Sequence, residues 1–471
     1  MSIIKGLMVT IMAAAFLLNP YLITGAAAQE EKPKQDRADK EYELEIMTVT
    51  AEKREEKIQE VPVSITALSD IEIEDAGIVD IEDLIYQIPN LHMVKTASHN
   101  PYGSLFIRGI STVVNSTVGF YVDDVYYSGG SDTELFDVER IEVLRGPQGT
   151  LYGRNTEAGV INIVTKKPGN QWEGKASVSY GIFNTQNYNA GIGGPLVQDK
   201  LFFRISGKYL RSNGYFDNKF NGNDECDDRD NFNNRTLLRW TPADAWDITL
   251  STEFQRYRDG NACLAPLEDV RHNPHDVSLD FEGSDDQDAN GQALRVAYES
   301  EWFTLTSITG RRDWESEMNI DIDFSPIDFM RLKFFNASDT FSQEIRLASA
   351  RGSAPLKWLA GIYFFDEKID LQNTYDYRQG YPAWGLPPFK DYQDSVTDTQ
   401  GYAFFGQTTY TLFEKLDLTA GLRYDNEEKD FTFDGHYDQD LSMFGMLLKT
   451  VKADEDYDAW LPKVAVDYRL T

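Results

Sequence analysis

From Trp172 onward the chain consists of segments in which every second residue is apolar, joined alternately by short turns and long polar loops. In "LFFRISGKYL" Leu201, Phe203, Ile205 and Tyr209 fall on one side, and Arg204, Ser206 and Lys208 on the other. "KLDLTAGLRYD" repeats this, with Leu416, Leu418, Ala420, Leu422 and Tyr424 against Asp417, Thr419, Arg423 and Asp425. "AWLPKVAVDYRL" sets Trp460, Val464, Val466, Tyr468 and Leu470 against Lys463, Asp467 and Arg469. A period of two gives strands with one apolar and one polar face. That pattern alone suits a half-buried soluble sheet as well as a membrane wall. The connections discriminate. Turns such as "VQDK", "TPADA", "ESE" and "LFEK" alternate with polar loops near 212–231, 259–288, 315–337, 371–398 and 430–456. A sandwich has no reason to sort its loops by parity, whereas a barrel crossing an outer membrane carries short turns on one rim and long loops on the other. About a dozen such strands are expected before Thr471.

Composition agrees with a membrane wall. Aromatic residues make up 13% of a chain that is also 26% charged, so it is polar overall yet rich in the rings that line membrane interfaces. With 45 Lys and Arg against 77 Asp and Glu, the net charge of −32 disfavours nucleic acid as a partner, because no surplus cation is available to replace phosphate counterions. The N-terminus reads as a secretory signal over residues 1–28, with Lys5, the apolar Gly6 to Leu18, and a small-residue cleavage site at Ala26, Ala27 and Ala28. After residue 30 no run of 18 apolar residues occurs, so a membrane crossing would be made by strands.

Between signal and wall lie two further regions. Residues 29–60 read as a flexible leader: charged and poor in large apolar residues, except for "EIMTVTA", a short β-prone run at Glu45 to Ala51. Isolated between solvated segments, that run suits strand addition to the sheet edge of another protein. Residues 61–170 read as a compact α+β domain. A helix is expected from Ser69 or Asp70, with Ile78, Ile81, Leu84, Ile85 and Ile88 on its apolar face and Pro89 ending it. Short strands follow in "SLFIRGI", "VGFYVDDVYY", "VERIEVLRG" and "GVINIVTKK".

The stretch "VERIEVLRGPQGTLYGRNTEAGVINIVTKKP" holds Gly146, Gly149, Gly153 and Gly159, which raises the question of a phosphate loop. That reading fails. Gly149 and Gly153 enclose three residues and are followed by Arg154 and Asn155 instead of Lys and Ser or Thr. The dinucleotide fingerprint is also absent, and the flanking segment reads as a strand. No nucleophile–base constellation or zinc motif stands out, so an enzyme is not expected. His272 and His275 in "RHNPHD" lack further ligands at a recognisable spacing, so no metal site is expected there. The two cysteines, Cys226 and Cys263, lie in acidic loops and could pair in an oxidising compartment or stand as separate thiols.

The segment "IEVLRGPQGTLYGRNTEAGVINIVTKKP", with "LFIRGI", "VGFYVDDVYY", "EIMTVTA" and "SQEIRLAS", resembles the plug and early barrel of a TonB-dependent outer-membrane receptor. The resemblance implies an N-terminal α+β plug followed by an antiparallel transmembrane β-barrel over 171–471, here about 12 of about 22 strands. It implies uptake of a scarce ligand, most readily a ferric siderophore, with haem, cobalamin or an oligosaccharide as alternatives. The iron would travel inside the ligand, with no cofactor held by the protein. It implies TonB and outer-membrane lipid as partners, a monomer, and export to the outer membrane behind a cleaved signal peptide.

Residue by residue, Ile46, Met47, Thr48, Val49, Thr50 and Ala51 match the TonB box. Arg108 and Arg145 resemble plug arginines that pair with barrel glutamates, with Glu344 the matching carboxylate and Arg154 a further polar anchor. Tyr102, Tyr126 and Tyr127 lie in outward plug loops where aromatic surfaces would meet a planar ligand. Half a barrel could hardly enclose a plug of this size, and its last strand would leave an open edge, so the reading also expects a fragment or prematurely ended frame. A signalling receptor would need a folded domain before the box, and a passive porin would need neither plug nor leader.

Overall fold

A computed structural model describes residues 47–94, 104–110, 116–128, 135–261, 263–350, 352, 355–380, 385–447 and 449–469. Twelve antiparallel strands form one sheet in strict chain order. They are Glu173–Tyr180, Gln186–Val197, Leu201–Ser212, Arg229–Trp240, Trp246–Asp259, Ser284–Glu299, Phe303–Asp321, Met330–Ser349, Leu356–Tyr377, Phe389–Leu412, Leu416–Tyr437 and Lys449–Tyr468. The sheet is not closed: its first and last strands each pair on one side only.

Burial follows the alternation with the opposite sign from a soluble protein. Arg204, Lys208, Arg235, Glu253, Arg312 and Arg346 are buried, while Ile205, Leu250, Leu294, Ile345, Ile362 and Phe404 are exposed. A soluble sandwich cannot present that polarity; a lipid-facing wall must. The connections sort by parity. On one rim they are residues 198–200, 241–245, 300–302, 350–355 and 413–415; on the other, 181–185, 213–228, 260–283, 322–329, 378–388 and 438–448. The long loops are shorter than their polarity suggests, because strands of 19 to 24 residues such as Phe303–Asp321 and Phe389–Leu412 continue well past the roughly 10 residues that cross a bilayer. Exposed Trp172, Trp240, Trp246, Trp302 and Phe413 collect at the short-turn rim, forming one aromatic girdle of an interface.

The plug is a five-stranded sheet ordered Ser64–Ser69, Val138–Arg145, Gly159–Thr165, Val118–Val122 and Val125–Tyr126, with one parallel pair between Val118–Val122 and Gly159–Thr165. Its core contains Leu84, Ile88, Leu91, Ile107, Ile141, Ile161 and Ile163, and Ile308 of the wall joins it. The single helix expected over Asp70 to Ile88 is divided. Ser69 and Glu72 form a capping box on an α-helix at Asp70–Asp75. Gly77, at φ 67°, then ends it, and a 3₁₀ turn follows at Glu82–Tyr86. Asp83 holds the bend by accepting the Val79 N–H at 2.8 Å. The intended face survives the break, since Ile78, Ile81, Leu84 and Ile88 are all buried.

The glycine-rich segment folds the plug strand back beside the wall. At Gly153 φ is 86°, and a Cβ there would come within 2.7 Å of the Arg423 guanidinium of the wall. Gly159 is held by space: a Cβ would lie 2.2 Å from the Leu144 carbonyl oxygen in the paired strand. We therefore expect Gly159→Ala to force the Leu144 and Gly159 strands apart, destabilising the plug by on the order of 1–3 kcal/mol. A lower urea midpoint for loss of the protease-resistant plug would show this; an unchanged midpoint would contradict the packing argument.

Candidate functional site

The segment after Ile46 is built into the protein. Thr48–Val49 pairs antiparallel with Glu56–Lys57, closing a small hairpin at the short-turn rim. Val49 and Ala51 are fully buried and pack with Tyr121, Leu144, Leu151 and Tyr152 of the plug and Leu359 and Phe405 of the wall. Thr50 donates its N–H and hydroxyl to Glu142 Oε1 at 2.8 and 3.1 Å. Glu142 is itself completely buried and also receives Arg140 Nε at 2.8 Å, so its charge is compensated on two sides.

Four of the charged residues that follow, Glu52, Lys53, Arg54 and Glu56, find partners on the wall. Lys53 donates to Glu344 Oε2 at 3.0 Å and lies over the Tyr152 ring at 4.8 Å. Lys463 donates to Glu52 Oε1 at 2.9 Å and Lys357 to Glu56 Oε1 at 2.9 Å. Arg54 reaches Ser349 Oγ at 3.0 Å and the Trp358 carbonyl at 3.1 Å. Beside this segment a cavity of about 630 Å³ opens between leader, plug and wall, bordered by Thr50, Asp124, Arg140, Thr249, Arg295 and Arg346.

Elsewhere along the seam, polar pairs pin the plug. Arg154 donates to Glu367 Oε2 at 2.6 Å, stands 3.9 Å from Glu427 and lies over the Phe365 ring at 4.1 Å. Arg204 of the wall forks onto Asp137 of the plug, its Nε at 2.6 Å. Arg346 of the wall holds both Glu344, at 2.7 Å, and Asp124 of the plug. Burial opposes ionisation of Asp124, but the charges of Arg346 and Lys53 outweigh it and hold the carboxyl well below its usual range. Its contribution is thus present at neutral pH and is lost only as pH falls through that depressed value.

Two family descriptions match this chain in tandem: "TonB-dependent Receptor Plug Domain" over residues 57–160 and "TonB dependent receptor-like, beta-barrel" over 167–471. The chain belongs to the TonB-dependent receptor family. It is similar to the pesticin receptor of Yersinia pestis, 23% identical over 428 residues that cover 88% of this chain and 59% of that one. The vitamin B12 transporter BtuB of Vibrio vulnificus is 33% identical over 125 residues, covering 25% of this chain and 20% of that one. Among solved structures, the ferric yersiniabactin uptake receptor FyuA from Yersinia pestis has a TM-score of 0.77 at 21% identity, covering 87% of this chain and 62% of its own. The siderophore receptor PiuA from Acinetobacter baumannii scores 0.69 at 16% identity, covering 88% and 64%. The chain thus spans about three fifths of the length of the pesticin receptor and of the two solved receptors.

Seen as a TonB-dependent receptor, the chain departs from several sequence-based expectations. The leader, expected to be flexible over 29–60, is ordered and docked from Met47 onward; Ile46 lies outside the described residues. Glu344 does receive a cation from the N-terminal part, but it is Lys53, with Arg346 on its other oxygen; neither Arg108 nor Arg145 pairs with it. Arg108 is exposed, at φ 55°, beside Gly146. Arg145 ends its plug strand with Nε unpartnered. Tyr127 is buried in the seam rather than offered to a ligand: its hydroxyl donates to Glu253 at 3.2 Å and Arg312 lies over its ring at 4.3 Å. Tyr126 is half-buried, accepts Asn155 Nδ2 at 2.8 Å and contacts Arg154, so it too faces the seam. Tyr102 lies outside the described residues. Sequence reasoning missed Lys53, Asp124, Asp137 and Glu367; for the first three the available signal was their position inside or beside the family-like segments, and for Glu367 only its place in an alternating strand.

On the long-loop rim, Cys226 and Cys263 are buried with Val277 and Leu279 and are unbridged. They contact each other directly, and the Cys263 thiol together with burial pushes Cys226 above its ordinary value.

Two outcomes follow from these contacts. In a double-mutant cycle on urea unfolding of the plug, Arg154→Ala and Glu367→Gln should couple by about 1–3 kcal/mol, whereas Arg145→Ala and Glu344→Gln should add within about 0.5 kcal/mol. Oxidised protein should lose two hydrogens by intact mass and regain them on reduction as Cys226 and Cys263 bridge; alkylation of both thiols without reductant would disprove the bridge.

Proposed function

We propose that the chain acts as a TonB-dependent outer-membrane receptor that takes up a ferric siderophore, with the iron held inside the ligand and no cofactor of its own. The observation that carries this reading is the Met47–Ala51 segment, a strand docked at the short-turn rim and tied through Lys53, Glu52 and Glu56 to three charged residues of the wall. A passive pore has no use for such a segment. TonB would receive it by strand addition, in which backbone hydrogen bonds supply the affinity. The short-turn rim then faces the periplasm, and the signal over residues 1–28 accounts for export of a monomeric protein to the outer membrane.

The names of the relatives, a ferric yersiniabactin uptake receptor and a siderophore receptor among them, support the choice of ligand. Cobalamin is the second reading, supported by the likeness of a quarter of the chain to a vitamin B12 transporter. Haem and oligosaccharides complete the ligand panel.

Deleting Ile46 to Ala51 separates binding from energised transport. We expect ferric siderophore to bind the deleted protein in outer-membrane fractions with affinity within about threefold of the intact chain, while accumulation of radiolabelled iron falls to background. Uptake that survives the deletion would rule out the TonB-driven reading; binding of cobalamin or haem in place of every ferric siderophore tested would replace the ligand.

A further inference from the structure

The long-loop rim carries a cluster that the uptake reading does not use. Loop 260–283 and connection 322–329 meet there: Phe324 packs on the Cys226, Cys263, Val277 and Leu279 cluster, and the Asp280 N–H donates to the Ser325 carbonyl at 3.3 Å. At this junction Asp280, Asp321 and Asp323 each bring a carboxylate oxygen to within 4.8 Å of the others. Asp321 is only 4% exposed. Its Oδ1 accepts the N–H groups of Asp323 and Phe324 at 3.1 and 3.2 Å, and its Oδ2 has no hydrogen-bond partner. A buried carboxylate oxygen with no donor is rare enough to require a cause.

The surrounding charge does not supply one. Asp323 accepts Ser325 Oγ on Oδ1 and the Met330 N–H on Oδ2, both uncharged donors. The nearby cation is Arg331, whose Nη2 lies 2.8 Å from Asp280 Oδ2 and 3.0 Å from Asp328 Oδ1. Three carboxylates against one guanidinium, itself shared with Asp328, leave at least two negative charges to be balanced.

We propose that Asp280, Asp321 and Asp323 form a divalent-cation site suited to Ca²⁺. The offered donors are hard oxygens, which exclude soft-metal preferences. Each offered oxygen lies within 4.8 Å of the other two, so one Ca²⁺ at the usual Ca²⁺–oxygen distance of about 2.3–2.6 Å can bridge them, and the flexible 6–8-oxygen shell of Ca²⁺ accepts an irregular loop site more readily than the strict octahedron of Mg²⁺. Three carboxylates, with water completing the shell, place the affinity in the roughly 10⁻⁴–10⁻³ M range of extracellular calcium modules. The bound ion would clamp connection 322–329 onto loop 260–283 outside the membrane. This does not depend on which ligand the receptor takes up.

The test uses the full chain in detergent, with Tb³⁺ luminescence as the readout and CaCl₂ as competitor. One saturable site is expected, with a Ca²⁺ midpoint of roughly 10⁻⁴–10⁻³ M. Asp321→Asn and Asp323→Asn should each raise the midpoint by at least about tenfold, and Asp276→Asn, a carboxylate on the same loop but outside the cluster, should leave it within about twofold. Asparagine at 321 keeps the oxygen that accepts the two backbone N–H groups, so the turn should survive; an unchanged β-sheet circular dichroism spectrum verifies it. Folded protein that takes up no Ca²⁺ at about 10 mM, or a double Asp321→Asn, Asp323→Asn variant that binds as the parent does, would overturn the site.

Discussion

The architecture depends on one constraint: the wall's inner face is polar and buried. Lipid requires the apolar residues to point outward, so Arg204, Arg235, Arg312, Arg346 and Arg423 are directed into the lumen, where a plug covers them. Desolvated guanidinium groups need partners, and some must come from the plug because wall carboxylates alone leave donors over. Asp137 meets Arg204, Asp124 meets Arg346, and the Phe136 carbonyl meets Arg235 at 3.4 Å. In the other direction, Arg154 of the plug meets Glu367 of the wall. The plug's fold is therefore set by its own apolar core, and its seat by charge complementarity with the wall.

How much of this was legible in the sequence divides along the same line. Alternation has a period of two wherever a strand runs, so Ile205 and Leu422 could be assigned outward and Arg204 and Arg423 inward from the sequence alone. The parity of the connections was also readable, because turn length is a property of consecutive residues. Pairing across the seam was not. Lys53 sits in "EKREEK", which reads as a solvated run, and its burial follows only from Glu344 lying 291 residues away. The same holds for Glu52 and Lys463, 411 residues apart. Arg108 and Arg145 had the right chemistry for Glu344, but chemistry does not decide which of several cations arrives. Gly77 was visible within the helical pattern, yet the apolar spacing continues across it, so its break was hidden by a periodicity that the 3₁₀ turn preserves.

The outer loops show a different limit. Their composition is acidic and rich in Asn, which suggests solvated coil, yet Asn223–Cys226, Phe216–Asn218 and Asp276–Val277 form a three-stranded sheet. Asn218 accounts for part of this order: its Nδ2 donates to the Leu279 carbonyl at 2.8 Å and its Oδ1 accepts the Leu279 N–H at 3.0 Å, pinning one loop to the next. Polar side chains that bond backbone in this way build structure that hydrophobic patterning does not reveal.

The docked leader sets what pulling on it would do. If the Thr48–Val49 strand is withdrawn, its backbone pairing to Glu56–Lys57 is lost first, and strand addition to a partner can replace it. Next to leave is Thr50, yet Glu142 keeps Arg140 and so remains compensated. Lys53 follows, and Glu344 keeps Arg346. Glu142 and Glu344 thus each retain a second cation, which keeps the cost of extracting Thr50 and Lys53 below that of stranding a buried carboxylate, whereas withdrawal of Glu52 and Glu56 releases Lys463 and Lys357 of the wall. Asp124 is different, because Arg346 of the wall bonds it directly and stays in place when the nearby charge of Lys53 is withdrawn. Load applied to the leader would therefore peel the segment before it moved the plug sheet, and the Asp124–Arg346 and Arg154–Glu367 contacts would resist the second step.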